Sequence, residues 1–76
     1  MKRYPLLVKY TRKSEDEMAR DCMRDMTIGK EYMAYSSIQN LNPESFITIP
    51  DDDKGERVCV QLSDGLEIIS KGATHD

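Results

Sequence analysis

The sequence is poor in the residues that usually carry chemistry or anchor a large core. Among 76 residues there is no tryptophan, one phenylalanine, one histidine and two cysteines. No run of about 18 apolar residues is present, which is the length that a membrane-spanning helix needs. The apolar stretch at residues 5–8 is too short for the core of a signal peptide. We therefore expect a cytoplasmic protein that makes no contact with a membrane.

The cysteines and the histidine are too few and too far apart for the usual nucleophile or zinc sites. Cys22 and Cys59 fit neither a disulfide framework nor zinc-ligand spacing, and we expect both to be buried as small apolar side chains. His75 lies one residue from the C-terminus, so it is poorly placed to act as a base. The four glycines are scattered singly and form no phosphate-binding loop. We expect no enzymatic activity and no cofactor.

The cluster Asp51-Asp52-Asp53 is the most pronounced polar feature. A calcium loop that began at Asp51 would need an oxygen ligand at its twelfth position, and that position is Leu62. We therefore expect no metal site. Together with Glu56, the three aspartates form the acidic tip of a hairpin, which could contact a basic partner surface. The alternative is an ordinary solvated turn.

Charge is distributed unevenly along the chain. Residues 1–38 contain eight Lys/Arg and six Asp/Glu (net +2), whereas residues 39–76 contain three and eight (net −5). The basic residues near the start flank an apolar strand and could contact a phosphate backbone. They are Lys2, Arg3, Lys9, Arg12 and Lys13. The alternative is that they protect an edge strand against pairing with other chains.

Period-two alternation and turn residues predict five short strands. Tyr4, Leu6, Val8 and Tyr10 alternate over a first strand at 3–11. Leu7, on the opposite face, predicts that this strand is covered on both sides near its middle. Further strands are predicted over 31–38, 46–49, 57–62 and 66–70, with Gly55 supplying the positive φ of the turn at 51–56. Residues 1–70 then form one domain and residues 71–76 a flexible tail.

One helix is predicted over 15–25. Ser14 and Glu17 have the spacing of a capping box, with Ser14 as the N-cap. The residues that share one helical face are predicted to pack in the core; they are Ala19, Cys22, Met23 and Met26. Asp16, Arg20 and Arg24 would form the exposed side.

The predicted order is strand, helix and four strands, which favours a small mainly-β antiparallel barrel. Residues 26–32, Met-Thr-Ile-Gly-Lys-Glu-Tyr, resemble the pattern (Leu/Met)-Thr-x-Gly-Lys-x-Tyr of small bacteriophage and prophage proteins. Residues 52–56 approximately match the aspartate-glycine turn that follows in those proteins. The resemblance covers about residues 3–70 and implies an SH3-like five-stranded barrel. The helical insertion at 14–25 departs from that family.

A chain of this size buries roughly 60–65% of its unfolded surface, which leaves little stability to spare for the monomer. Association with a second copy could add stability, so we expect a homodimer and a monomer with equal weight. The leading functional hypothesis is an accessory protein that binds and modulates another protein. The resemblance implies that the partner is a host protein in the host cytoplasm, in a takeover or anti-defence role. The expected contact residues are Asp51, Asp52, Asp53, Glu56, Asp16, Arg20 and Arg24.

Two other functions remain open. One is a nucleic-acid-binding barrel that uses the five basic residues near the start and stacks bases on Tyr32, Tyr35 and Phe46. The other is a structural subunit that assembles into oligomers through its strand edges.

Overall fold

The computed structural model describes residues 3–71, which form five strands and one short helix. In chain order these are β1 (Tyr4–Tyr10), α1 (Glu17–Cys22), β2 (Glu31–Ser36), β3 (Phe46–Ile49), β4 (Val58–Gln61) and β5 (Leu66–Lys71). A 3-10 turn at Leu62–Asp64 precedes β5. The prediction of a mainly-β fold with five antiparallel strands and one helix between the first two is confirmed.

The five strands form one antiparallel sheet in the order β4-β3-β2-β1-β5. From β1 to β4 each strand pairs with the next one in sequence, and β5 returns to pair with the free side of β1. Within residues 3–71 the sheet is open, because β4 and β5 are its two edges.

The core lies on one face of this sheet. Alternate residues of the strands point inward, because successive side chains in a strand face opposite sides. Val8 and Ile49 are fully buried there, and the segment containing α1 contributes Met23 from the other side. The remaining apolar core residues are Leu6, Tyr10, Ala19, Met26, Tyr32, Ala34, Ile47, Val58, Val60 and Leu62.

The helix is shorter than predicted, and its N-cap is Asp16. The Asp16 carboxylate accepts a hydrogen bond from the Ala19 amide at 3.0 Å. The predicted capping box at Ser14 is wrong because the Ser14 hydroxyl is used elsewhere. It donates to the buried Asp64 carboxylate at 2.8 Å. The helix ends at Cys22, and Met23 and Met26 reach the core through the turns that follow it.

The prediction that both cysteines are buried is wrong. Cys59 lies between the buried Val58 and Val60, so strand alternation turns its side chain to the outer face. Cys22 is the last residue of α1 and is exposed.

The predicted tail begins one residue too early, because Lys71 belongs to β5. The rest of that tail, with His75, and the basic residue Lys2 lie outside the described residues. Between residues 3 and 71 no helix has both the length and the apolar character needed to cross a bilayer.

Gly65 generates the first prediction. It has a φ of 99°, and a Cβ added there would overlap the carbonyl oxygen of Arg12. Gly55 has a φ of 78°, but a Cβ added there would meet no atom within 4 Å. We expect Gly55→Ala to lower the free energy of unfolding by about 1–2 kcal/mol, through backbone strain alone. Gly65→Ala should cost about 1–3 kcal/mol more, because the overlap adds to that strain.

Urea unfolding followed by circular dichroism measures both variants. Equal losses for the two glycines would contradict the tight packing of Gly65 against Arg12.

Candidate interaction surfaces

The Asp53 carboxylate joins the β3–β4 hairpin to the turn that precedes β2. It accepts hydrogen bonds from the Thr27 hydroxyl at 2.6 Å, the Lys30 ammonium at 2.5 Å and the Tyr32 hydroxyl at 3.0 Å. The Tyr32 hydroxyl in turn accepts a hydrogen bond from the Thr27 amide at 2.7 Å. One side chain of the hairpin therefore binds three residues that lie more than 20 positions earlier in the chain.

This network shifts the titration of its two charged members. The hydrogen bond from Lys30, and then that from Thr27, hold the pKa of Asp53 at about 2, below its ordinary 3.8. The same hydrogen bond raises the pKa of Lys30. Asp53 and Lys30 therefore remain an ion pair across the whole neutral range.

Asp52 shapes the hairpin loop from within. Its side chain is buried, and one carboxylate oxygen accepts hydrogen bonds from the amides of Lys54 at 2.8 Å and Glu56 at 2.9 Å. The Asp52 amide donates to the Glu56 carbonyl at 2.9 Å, which closes the loop. These bonds are those of an Asx turn, in which an aspartate caps the backbone that follows it.

Carboxylate oxygens of Asp25, Asp52 and Glu56 lie within 4.8 Å of one another. The Lys54 ammonium lies 3.7 Å from the Asp25 carboxylate, and Arg24 lies 3.9 Å from it. Two cations flank Asp25 and two amides bind Asp52. These contacts within the chain explain why the three carboxylates lie close together.

The four acidic residues of the predicted hairpin tip therefore have different roles. Asp52 is buried and Asp53 is held by three donors, so both are parts of the scaffold. Asp51 and Glu56 are exposed, and among residues 3–71 neither side chain makes a hydrogen bond or ion pair. The tip also contacts the segment after α1, because the Asp53 amide donates to the Asp25 carbonyl at 3.1 Å.

The predicted helix contacts are largely engaged within the chain. Asp16 is the N-cap, and Arg20 donates to the Ser14 carbonyl at 3.0 Å. Arg24 donates to the Asp21 carbonyl at 2.8 Å. The most exposed large apolar side chain on α1 is Met18, at 78%.

The basic residues near the start do not converge on one surface. Lys9 lies between Glu31 on β2 and Glu67 on β5, so acidic residues flank it on both sides. Arg3 stacks over the Tyr35 ring at 4.6 Å, and Arg12 faces the Ser63 carbonyl at 3.4 Å beyond the other end of β1. Lys13 is exposed in the loop that follows.

The outer face of the sheet is the main surface that the sequence analysis did not identify. Met33 is 67% exposed and Phe46 is 62% exposed, while Tyr32 on the opposite face is buried. Leu7 pairs with Met33 across β1 and β2, and Tyr35 pairs with Thr48 across β2 and β3. We call the surface formed by Leu7, Met33, Tyr35, Thr48 and Phe46 the outer apolar face.

The signal for this face was present in the strand alternation. Leu7, Met33 and Phe46 occupy the positions of their strands that face away from the core. The prediction that the first strand is covered on both sides near its middle is wrong, because Leu7 is only half-buried and its cross-strand neighbour Met33 is exposed. Within residues 3–71 no element lies over this face, because the apolar residues of α1 and the turns after it pack on the other side.

Comparison with known proteins returned no match to any family, curated protein or solved structure.

The Asp53 network generates the second prediction. We expect Asp53→Asn to lower the free energy of unfolding, because the neutral amide loses the ion pair with Lys30 and weakens two further hydrogen bonds. Asp51→Asn changes the charge equally but removes no hydrogen bond, so it should leave stability within about 0.5 kcal/mol of the parent. Urea unfolding at pH 7 measures both, and equal effects would contradict the structural role of Asp53.

The low pKa of Asp53 generates the third prediction, which concerns pH. A carboxylate whose pKa falls from 3.8 to about 2 on folding stabilises the folded state above pH 4. That contribution is lost as the pH falls from 4 towards 2, because the unfolded chain then binds the proton first. The stability difference between the parent and Asp53→Asn should therefore be constant from pH 5 to 7 and shrink below pH 4. A difference that stays constant down to pH 2 would show that Asp53 is not held as the anion.

Proposed function

We propose that this chain is a small accessory protein that binds another protein through its outer apolar face and modulates that partner. The observation that carries the proposal is the exposure of Met33 and Phe46 on one open face of the sheet. Single exposed apolar residues are common on protein surfaces, whereas a contiguous group marks an interaction site more often.

The geometry of the face supports a protein partner. It extends from Leu7 on β1 through Met33 and Tyr35 on β2 to Phe46 on β3, so it is broad and shallow. Aromatic residues, methionine and arginine are enriched at protein interfaces. Arg3, stacked on Tyr35, places a guanidinium at the rim of this face.

The exposed tip acids provide a second, charged rim in this proposal. Asp51 and Glu56 are the members of the predicted acidic tip whose side chains form no hydrogen bond or salt bridge among residues 3–71. Rim charges act mainly on association rate and partner choice, whereas buried apolar anchors supply most of the affinity.

We further propose that the fold belongs to the SH3-like class and that the partner is a host protein of a phage-encoded chain. The return of β5 to the side of β1 supports the first part, since it brings the first and last strands together. The resemblance of residues 26–32 and 52–56 to small phage proteins supports the second part.

No observation favours the two other functions in the same way. The basic residues are dispersed, and Lys9 lies between two glutamates, which weakens the case for a phosphate-binding track. The nucleic-acid alternative still predicts retardation in a gel shift at low salt. The oligomer alternative predicts a defined assembly by light scattering.

The fourth prediction tests the outer apolar face. Met33→Ser/Phe46→Ser, used as bait in a bacterial lysate, should recover the partner at least about tenfold less than the parent, since anchors at an interface centre dominate affinity. Met18→Ser is the matched control, because Met18 is more exposed than Met33 but lies on α1. Quantitative mass spectrometry measures recovery.

The folded state of each bait is checked by circular dichroism before capture. Loss of the same protein with Met18→Ser, or full recovery with Met33→Ser/Phe46→Ser, would contradict the proposal.

A further inference from the structure

A second surface lies at the free edge of β5. There a groove separates β5 from the loop at residues 38–43. Two adjoining depressions of about 420 Å³ each form this groove. One is lined by Leu66 and Ile68 of β5, the other by Ile38 and Lys71, and Leu41 lines both. We call this surface the β5 groove.

The register of β5 shows which backbone groups are free. The Thr11 amide donates to the Gly65 carbonyl at 2.7 Å, so these two residues form a hydrogen-bonded pair. Hydrogen-bonded and non-hydrogen-bonded pairs alternate in an antiparallel ladder. Leu66 and Ile68 therefore occupy non-hydrogen-bonded positions, opposite Tyr10 and Val8.

The backbone of Tyr10 agrees with this assignment. Its amide and carbonyl bind Lys30 and Gly29 on the β2 side rather than β5. The amide and carbonyl of Leu66 and Ile68 consequently point away from β1, towards the free side of β5. Within residues 3–71, no backbone hydrogen bond outside the sheet involves β5.

The charge around the groove is opposite to that of the whole chain. The protein has a net charge of −3, yet none of the described residues that line the groove is acidic. Arg12 lies at one end and Lys71 at the other. Arg12 hydrogen-bonds only to carbonyl oxygens, and neither cation forms a salt bridge with any residue in 3–71.

We propose that the β5 groove binds an extended acidic segment of another protein, which adds as a strand to the edge of β5. Backbone hydrogen bonds to Leu66 and Ile68 would supply affinity, as in other cases where a peptide extends a sheet. Apolar side chains at alternate positions in the middle of the segment would contact Leu41 and Ile68. Carboxylates on the same face of the segment, at its two ends, would pair with Arg12 and Lys71. A second copy of β5 is a poorer occupant, because it would bring a second Lys71 to the same groove.

This site is separate from the outer apolar face and uses neither Met33 nor Phe46. Its failure would therefore leave the proposed function intact, and the converse also holds. Two separated cations at the ends of an apolar groove suit a peptide better than a nucleic-acid backbone, which needs a continuous positive track.

The probe is a fluorescein-labelled seven-residue peptide with glutamate at positions 1 and 7, valine at positions 3 and 5 and serine at the positions between, so that its acidic and apolar side chains share one face of the strand. Binding to the full chain is measured by anisotropy at low salt. We expect saturable binding, and none when lysine replaces glutamate. Methylating the peptide nitrogens of alternate residues removes the donors of one ladder edge. Methylation of the alternate amides that face β5 should abolish binding. Methylation of the intervening amides, which face away from β5, should leave the affinity within about twofold.

A protein variant tests the two cations. Arg12→Ser/Lys71→Ser should weaken the peptide by about tenfold or more, as expected when two charged contacts are lost. Lys13→Ser/Arg57→Ser is the matched control, since it changes the net charge equally at exposed residues outside the groove. Circular dichroism establishes that each variant is folded.

Three results would overturn the proposal. They are no binding of the acidic peptide, equal binding of the two methylated peptides, and equal weakening by the two double variants. Tighter binding of a single-stranded oligonucleotide than of the peptide, or a dimer by light scattering that excludes the peptide, would assign the groove to another occupant.

Discussion

The contact on which the rest of the structure depends is the Asp53 carboxylate with its three donors. It connects the β3–β4 hairpin to the turn before β2, and thus joins one edge of the sheet to the segment that enters its centre. A chain of 76 residues buries little apolar surface on folding. A polar contact between distant segments therefore contributes a larger share of its stability than it would in a larger domain. The ion pair with Lys30 persists at neutral pH because the pKa of Asp53 is held at about 2.

The structural role of Asp53 reduces the part of the acidic tip that is available for binding a partner. If Asp52 and Asp53 hold the loop, the acidic tip is a scaffold element whose free charges are Asp51 and Glu56 alone. The surfaces left for recognition are then defined by the open sheet. One is the outer apolar face, which no element covers within residues 3–71. The other is the free edge of β5, where an apolar groove with cationic ends lies beside backbone groups that no residue in 3–71 binds. A closed barrel would have removed that edge.

The sequence predicted the elements better than it predicted the roles of their polar residues. Alternation and turn residues together located all five strands, because a strand with one buried face shows a period of two in its apolar residues and ends where the chain turns. It could not locate the helix cap, since Ser14 and Asp16 both have the chemistry of an N-cap. Only the position of Asp64, 50 residues later, decides that Ser14 is engaged elsewhere. The scaffold role of Asp53 was hidden for the same reason, because its donors at 27, 30 and 32 become neighbours only when the sheet forms.

Asp53 acts as a structural anion and is not a free charge on an acidic surface. The most direct measurement is a titration of the Asp53 side-chain carboxyl carbon by NMR in the folded protein. We expect a pKa near 2 for Asp53, well below its ordinary 3.8. A pKa for Asp53 at its ordinary 3.8 would contradict this role and would make all four tip acids available for binding.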